Sequence, residues 1–307
     1  MNNYPKCALS FMELVNSQKR LTNLYVNKLI KVRPFDVSLR DGLQCLSILE
    51  QQNFNTDLKK NIYEEILRNY NSKNIEIGSC VNNKILPIFS DTEDLFHYVE
   101  NINDRNNRHY ILVPNQDKLK NAINFGATNY SFITSVSNSF QLKNTKKTLN
   151  ETYSNLVSMM RYLDKSSIEN YKVKIYVSCI NECPIEGKIH SHNIVSELFS
   201  LSLLNFDMIC LSDTCGTLTY DDFIEIIENT KKVGIDSKKI SLHLHIKPER
   251  EEEIEKIVHA AINYGIIEFD VSYLKTGGCS VTMDRDKIAP NMSYEQYYKF
   301  LTNYLLN

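Results

Sequence analysis

The chain has no tryptophan, and its 307 residues include only 9 glycines and 7 prolines. The missing tryptophan, in a chain rich in Asn, Lys, Ile and Tyr, reads as base-composition bias and excludes no function. No Pro/Gly-rich linker, internal repeat or low-complexity tail divides the chain. An excess of one charge is also missing. The 35 Lys and Arg stand against 37 Asp and Glu, for a net charge of −2. That balance supports neither a nucleic-acid binder nor a polybasic membrane binder. No apolar run approaches the ~20 residues that span a bilayer. No GxGxxG follows the first expected strand, which weakens a dinucleotide-binding reading.

Eight cysteines are present: Cys7, Cys45, Cys80, Cys179, Cys183, Cys210, Cys215 and Cys279. They are scattered and no secretory signal precedes them, which fits reduced thiols in an intracellular protein. The first 33 residues carry Lys6, Lys19, Arg20, Lys28, Lys31 and Arg33 against one acid, Glu13. With only two arginines this segment reads as an N-terminal helix rather than a mitochondrial transit peptide, so a cytoplasmic location is expected.

From about residue 32 short β-type runs alternate with longer amphipathic ones. The strands are KVRPFDVSL, NIEIG, RHYILVP, NYSFIT, KIYVSC, FDMICL, ISLHLH and IIEFDVS. Helices are expected at about 57–70, 91–100, 117–125, 149–163, 191–203, 221–232, 248–264 and 294–305. Strict alternation implies parallel strands with crossover helices. Eight units in roughly 270 residues is the size of a (β/α)8 TIM barrel, with a doubly wound open sheet as the alternative. Residues 1–31 are expected to be an N-terminal extension and 32–307 the barrel domain.

Barrel active sites form at the C-terminal ends of the strands. Those ends carry Arg40 and Asp41, Glu76, Asn115, Ser178 and Cys179, Asp213 and Thr214, His243 and His245, and Cys279 after Gly277 and Gly278. Alternate residues share a strand face, so His243 and His245 point the same way and could chelate one divalent ion. Taken alone, HxH fits two unrelated polar residues better. The Asp41 carboxylate tips the reading towards a metal. Cys179, Cys183, Cys210 and Cys215 offer a rival zinc site, but their spacing is loose and small buried thiols are the simpler reading. Cys279 is either a loop cysteine without a role or a thiol poised to move a proton.

In order along the chain, VSLRDGLQ, IEIGSCVNNKILPIFSD, YVSCINECPIEGKI, LSDTCG, HLH, and GGC followed by NMSYEQYYKFL resemble the motifs of the 3-hydroxy-3-methylglutaryl-CoA lyase family. That family belongs to the aldolase-like TIM-barrel metallolyases, and the resemblance runs from about Val32 to Leu301. It implies an acyl-CoA substrate, cleavage of 3-hydroxy-3-methylglutaryl-CoA to acetyl-CoA and acetoacetate, and a divalent metal, Mg2+ or Mn2+. Carried over motif by motif, the metal ligands would be Asp41, His243, His245 and Asn291. Arg40 would neutralise an enolate, Cys279 would exchange a proton, Glu76 and Asp213 would support the site, and Glu295 matches a further functional position.

The chain also departs from the family. Ile246 stands where an Asp follows the second histidine. Leu274, Lys275 and Thr276 replace a glycine-rich approach to Cys279, which lets Lys275 meet the coenzyme's phosphates. About three extra residues precede Asn291. Cys45, Leu46 and Ser47 replace basic and polar residues, and the C-terminal helical region is shortened, leaving a homodimer open. Two alternatives therefore stand beside the lyase: a related metal-dependent acyl-CoA or 2-oxo-acid lyase or synthase, and a catalytically degenerate barrel with a binding role.

Overall fold

A computed structural model describes residues 31–70, 72–102, 107–278, 282–284 and 287–306. The elements run β1 (Arg33–Asp36), α1 (Asp41–Gln44), α2 (Ile48–Gln51), α3 (Thr56–Tyr70), β2 (Asn74–Ser79), α4 (Thr92–Asn101), β3 (Arg108–Leu112) and α5 (Gln116–Asn124). They continue β4 (Asn129–Ser135), α6 (Asn138–Thr145), α7 (Leu149–Lys165), β5 (Lys172–Ser178), α8 (Ser191–Ser202), β6 (Met208–Asp213), α9 (Tyr220–Lys232), β7 (Ile240–Leu244), α10 (Glu251–Tyr264), β8 (Glu268–Val271) and α11 (Tyr294–Leu306).

The eight strands are parallel and close in chain order, with β8 pairing back onto β1. This is the expected (β/α)8 barrel, not an open sheet. The helices cover the outer face while the strands' inner faces fill the lumen, so β2 and β6 are buried at every residue. A two-residue ribbon, Glu182–Cys183 with Gly187–Lys188, follows β5. The expected N-terminal extension lies outside the described residues except for Lys31. No described helix is long and apolar enough to cross a membrane.

Local chemistry sets the helices. Thr148 and Glu151 form a reciprocal cap at the start of α7. Thr219 caps α9, which opens on Asp221 and Asp222 and closes on Lys231 and Lys232, matching the helix dipole. On α10, Ile254, Ile257, Val258 and Ala261 are buried three and four apart. Each large apolar side chain so buried contributes about 1.5–3 kcal/mol. The sequence pattern missed α6, because only Phe140 and Gln141 of its eight residues are buried and no apolar stripe forms.

The barrel's lumen holds charge as well as apolar bulk. Lys174 is fully buried, pairs with Asp270 and lies 3.5 Å from Glu268. Its ammonium also sits 3.5 Å over the Phe35 ring. Burial disfavours the charged amine, but Asp270 and Glu268 outweigh it and raise the Lys174 pKa. Helix α11 locks β1 from outside: the Tyr294 hydroxyl donates to Asp36 Oδ2 at 2.8 Å, and its ring stacks on Tyr70 with centroids 3.8 Å apart.

Candidate active site

The VSLRDGLQ segment begins at a buried anchor. Asp36 accepts the Ser38 backbone N–H at 2.9 Å and the Ser38 hydroxyl at 3.0 Å, turning the chain directly after β1. The strand therefore ends at Asp36, four residues before the arginine. Arg40 and Asp41 stand at the start of α1, a single helical turn. Gly42 lies inside that helical turn. A Cβ there would come within 3.1 Å of the Ser272 hydroxyl, so close approach to the segment after β8 is what favours glycine.

Arg40 is 4% exposed and is clamped from two sides. Its Nε donates to Glu76 Oε2 and its Nη1 to Asp41 Oδ1, both at 2.6 Å. Tyr176 packs under the guanidinium, 4.9 Å from its ring centroid, and donates to the same Glu76 oxygen at 3.0 Å. Burial works against the Arg40 charge, but Glu76 and Asp41 overcome it and hold the pKa well above the ordinary value. Burial would likewise raise Asp41. Arg40 first, then the two histidines, take it well below the usual carboxylate range.

His243, on β7, and His245, just past its end, converge as the alternation required, with their Nε2 atoms 3.2 Å apart. His243 Nδ1 lies 3.0 Å from Asp270 Oδ2, and His245 Nδ1 lies 2.8 Å from the Ala289 carbonyl. Both partners are acceptors, so each Nδ1 carries a proton, and the His245 ring turns an Nε2 lone pair towards His243. Burial, then His243, pushes the His245 pKa down to about 4, so that ring is neutral at physiological pH.

Asp41 Oδ2 lies 3.7 Å from His243 Nε2. The candidate ligand atoms of Asp41, His243 and His245 all fall within 4.8 Å of one another. They form the only such cluster among the described residues. Asn291 joins from the far side, with its Nδ2 3.0 Å from Asp41 Oδ2 and its buried Oδ1 without a hydrogen-bond partner. A carboxylate, two imidazoles and an orphaned amide oxygen suit a divalent cation of mixed N/O preference. The donor set therefore fits the metal that the sequence implied. Gly278 N–H also donates to Asp41 Oδ2 at 2.9 Å. A Cβ at Gly277 would collide with the Asn291 amide, so glycine is required where this segment crosses the site.

The other expected residues fall elsewhere. Both Asp213 oxygens accept backbone N–H groups, from Thr217 and Leu218, each at 3.0 Å. The carboxylate thus shapes the loop after β6, and burial lifts its pKa to about 6 against those bonds. Glu295 is exposed in the first turn of α11 and does not line the cavity beside the histidines. Asn115 caps α5 by accepting from Lys118 N. Lys275 is exposed. The four cysteines do not assemble: Cys210 Sγ faces Asp270 inside the barrel, Cys183 Sγ lies 3.1 Å from the Ser137 hydroxyl, and Cys215 Sγ faces the Glu182 carbonyl. Cys279 lies outside the described residues.

The cavity beside the histidines is small, about 40 Å3, and is also lined by Gln44, Phe140, Asn144 and Gly278. That is room for about one water-sized group. Wider clefts lie elsewhere, one of about 430 Å3 along Tyr220, Glu225 and Tyr264, but none gathers these buried donors. Sequence reasoning missed Tyr176 and Asp270. An aspartate inside the apolar run IIEFDVS was the available signal for the second, since a strand buried on both faces carries a charge only where it finds a partner.

Residues 31–247 match the model of the family described as HMGL-like. The chain is 26% identical over 260 residues to mitochondrial hydroxymethylglutaryl-CoA lyase of Arabidopsis thaliana, covering 83% of this chain and 51% of that protein. It is 25% identical over 248 residues to hydroxymethylglutaryl-CoA lyase of Pseudomonas mevalonii, covering 81% and 78%. The chain thus spans about half the length of the plant relative and most of the bacterial one. Among solved structures, hydroxymethylglutaryl-CoA lyase of Bacillus subtilis superposes with a TM-score of 0.77 at 24% identity, covering 89% of this chain and 86% of that one. A lyase of Acinetobacter baumannii in complex with coenzyme A and 3-methylmalate gives 0.76 at 22%, covering 92% and 84%.

Proposed function

Because the chain belongs to the HMGL-like family, we propose that it is a carbon–carbon lyase that cleaves 3-hydroxy-3-methylglutaryl-CoA to acetyl-CoA and acetoacetate. The observation that carries this reading is the pairing of two sites at the strand ends. Arg40 bridges Asp41 and Glu76, and Asp41 faces the two histidines. Asp41, His243, His245 and Asn291 would hold a divalent cation, which when bound acidifies a hydroxyl and orients an adjacent oxygen.

The tertiary hydroxyl must lose its proton as the bond between C2 and C3 breaks. Neither supporting acid lines the cavity; Arg40 and Tyr176 do, and the acid bonded to both is Glu76. Its Oε1 is buried without a partner, whereas both Asp213 oxygens are occupied. The C2 fragment departs as a thioester enolate. Arg40, kept cationic by its two carboxylates, neutralises charge that exists only late in the reaction, which is where binding energy accelerates it. The final proton on C2 falls to Cys279 by the family resemblance. Binding of coenzyme A by the Acinetobacter lyase supports that substrate class.

The test is to supply folded, Mn2+- or Mg2+-loaded protein with 3-hydroxy-3-methylglutaryl-CoA and assay acetoacetate. Product formation that is lost on chelation supports the reading. No acetoacetate from folded, cation-loaded protein overturns it.

A further inference from the structure

The wall of the cavity across from Arg40 includes three hydroxyl-bearing residues, Ser178, Ser212 and Thr214, of which Thr214 is already bonded to Cys179 N and the Ser212 carbonyl. In the barrel register Ser178 of β5 pairs with Ser212 of β6, and Ser212 pairs with His243 of β7. Paired residues of neighbouring parallel strands point to the same side. Ser178, Ser212 and Thr214 accordingly line the cavity with both histidines. Ser212 stands out among them. It is 6% exposed, and its Oγ is buried with no hydrogen-bond partner. Among the described residues it is the one cavity-lining residue with such an atom. Its backbone cannot drift, because its carbonyl accepts from Thr214 N at 3.0 Å and Asp213 ties the following loop.

A buried hydroxyl without a partner lowers the stability of the free protein. The geometry points to Ser212 as a specificity-determining residue that binds an oxygen of the acid end of the substrate beside His243. This rests on the lyase reading and extends it to a residue with no role so far. The charged groups lie on the β1–β2 side, where Arg40 is already shared by Asp41 and Glu76. A ligand held at the histidines would turn its remaining oxygens to the β5–β6 wall. A neutral donor there accepts a carboxylate or hydroxyl oxygen and leaves a methyl group in that place unrewarded.

Ser212→Ala and Ser212→Cys, the second nearly isosteric with a weak donor, separate this role from a structural one. The readouts are the thermal midpoint of the cation-free protein and, by calorimetry with Mn2+ present, the affinity for free 3-hydroxy-3-methylglutarate. The midpoint should be unchanged or higher in both variants, since an unsatisfied group is removed. The affinity should fall roughly tenfold, the worth of one hydrogen bond to an anionic oxygen. Equal affinity in wild type and both variants overturns the assignment. So does a parallel loss of midpoint and affinity, which marks a packing role. If wild type binds Mn2+ but not the acid, the Ser212 assignment fails, while acetoacetate release from the CoA thioester still decides the lyase reading.

Discussion

Replacing His243 by alanine tests the centre of the site without requiring turnover. In wild type four donors, Asp41, His243, His245 and Asn291, converge, and Mn2+ at about 100 times its Kd stabilises the fold by ~2.7 kcal/mol. For 307 residues the unfolding entropy is about 0.6 kcal/mol per degree, so the midpoint should rise by about 4 °C. His243→Ala removes one donor and leaves Asp270 Oδ2 without the ring N–H it holds at 3.0 Å. The second effect costs about 1–2 kcal/mol in the cation-free protein, a drop of about 2–3 °C. Loss of a direct ligand should weaken Mn2+ at least as much as loss of an outer partner, up to about 100-fold. The Mn2+-dependent rise then shrinks below about 1 °C. Differential scanning calorimetry with and without Mn2+ reads both numbers. A variant that keeps the full 4 °C rise would refute the placement of the cation at this imidazole.

Arg40→Lys should lower kcat for acetoacetate release at least ~100-fold with the fold retained, because an ammonium cannot reproduce the planar fork that reaches both Asp41 and Glu76; a rate within threefold of wild type sinks the enolate role. Asp270→Asn, which replaces the carboxylate behind His243 Nδ1 and also weakens the pairing of Lys174, should weaken Mn2+ about 10- to 100-fold by titration calorimetry. Burial lifts the Asp36 carboxyl from 3.8 to about 6 against its bonds from Ser38 and Tyr294. The folded state therefore holds this proton more tightly than the unfolded chain. The stability it contributes is full below about pH 4 and lost as pH rises through 6, amounting to roughly 3 kcal/mol. Urea unfolding of cation-free Asp36→Asn should lack that decline relative to wild type between pH 4 and 7, and parallel profiles would count against the shift.

The alternation of short β-type and long amphipathic runs was enough for parallel strands with crossover helices, because each helix must bury one stripe against a strand that is itself buried on both faces, and the pairing of β8 with β1 decided for a barrel over an open sheet. Periodicity was also enough for the histidine pair, since two residues apart on a strand means one face. Local pattern could not reach the exceptions. RDGLQ looks like a strand end, yet it is a helical turn, because Asp36 captures Ser38 and breaks the strand early. Asp213 looks like a site acid, yet its oxygens cap its own loop, and nothing in LSDTCG distinguishes a carboxylate facing the lumen from one facing the backbone.

By itself the sequence determined the α/β class, the order of the strand ends and the shared face of His243 and His245, since these follow from periodicity; Asn291 entered only through the family resemblance. Tertiary structure alone decided which donors meet. Arg40 and Glu76 are 36 residues apart and Asp41 and Asn291 are 250 apart, and only closure of β8 onto β1 brings the last pair together. It also decided which oxygen atoms stay free. Glu76, Asn291 and Ser212 each keep an unpartnered atom, because a hydrogen bond is made or missed according to the position of groups distant in the chain.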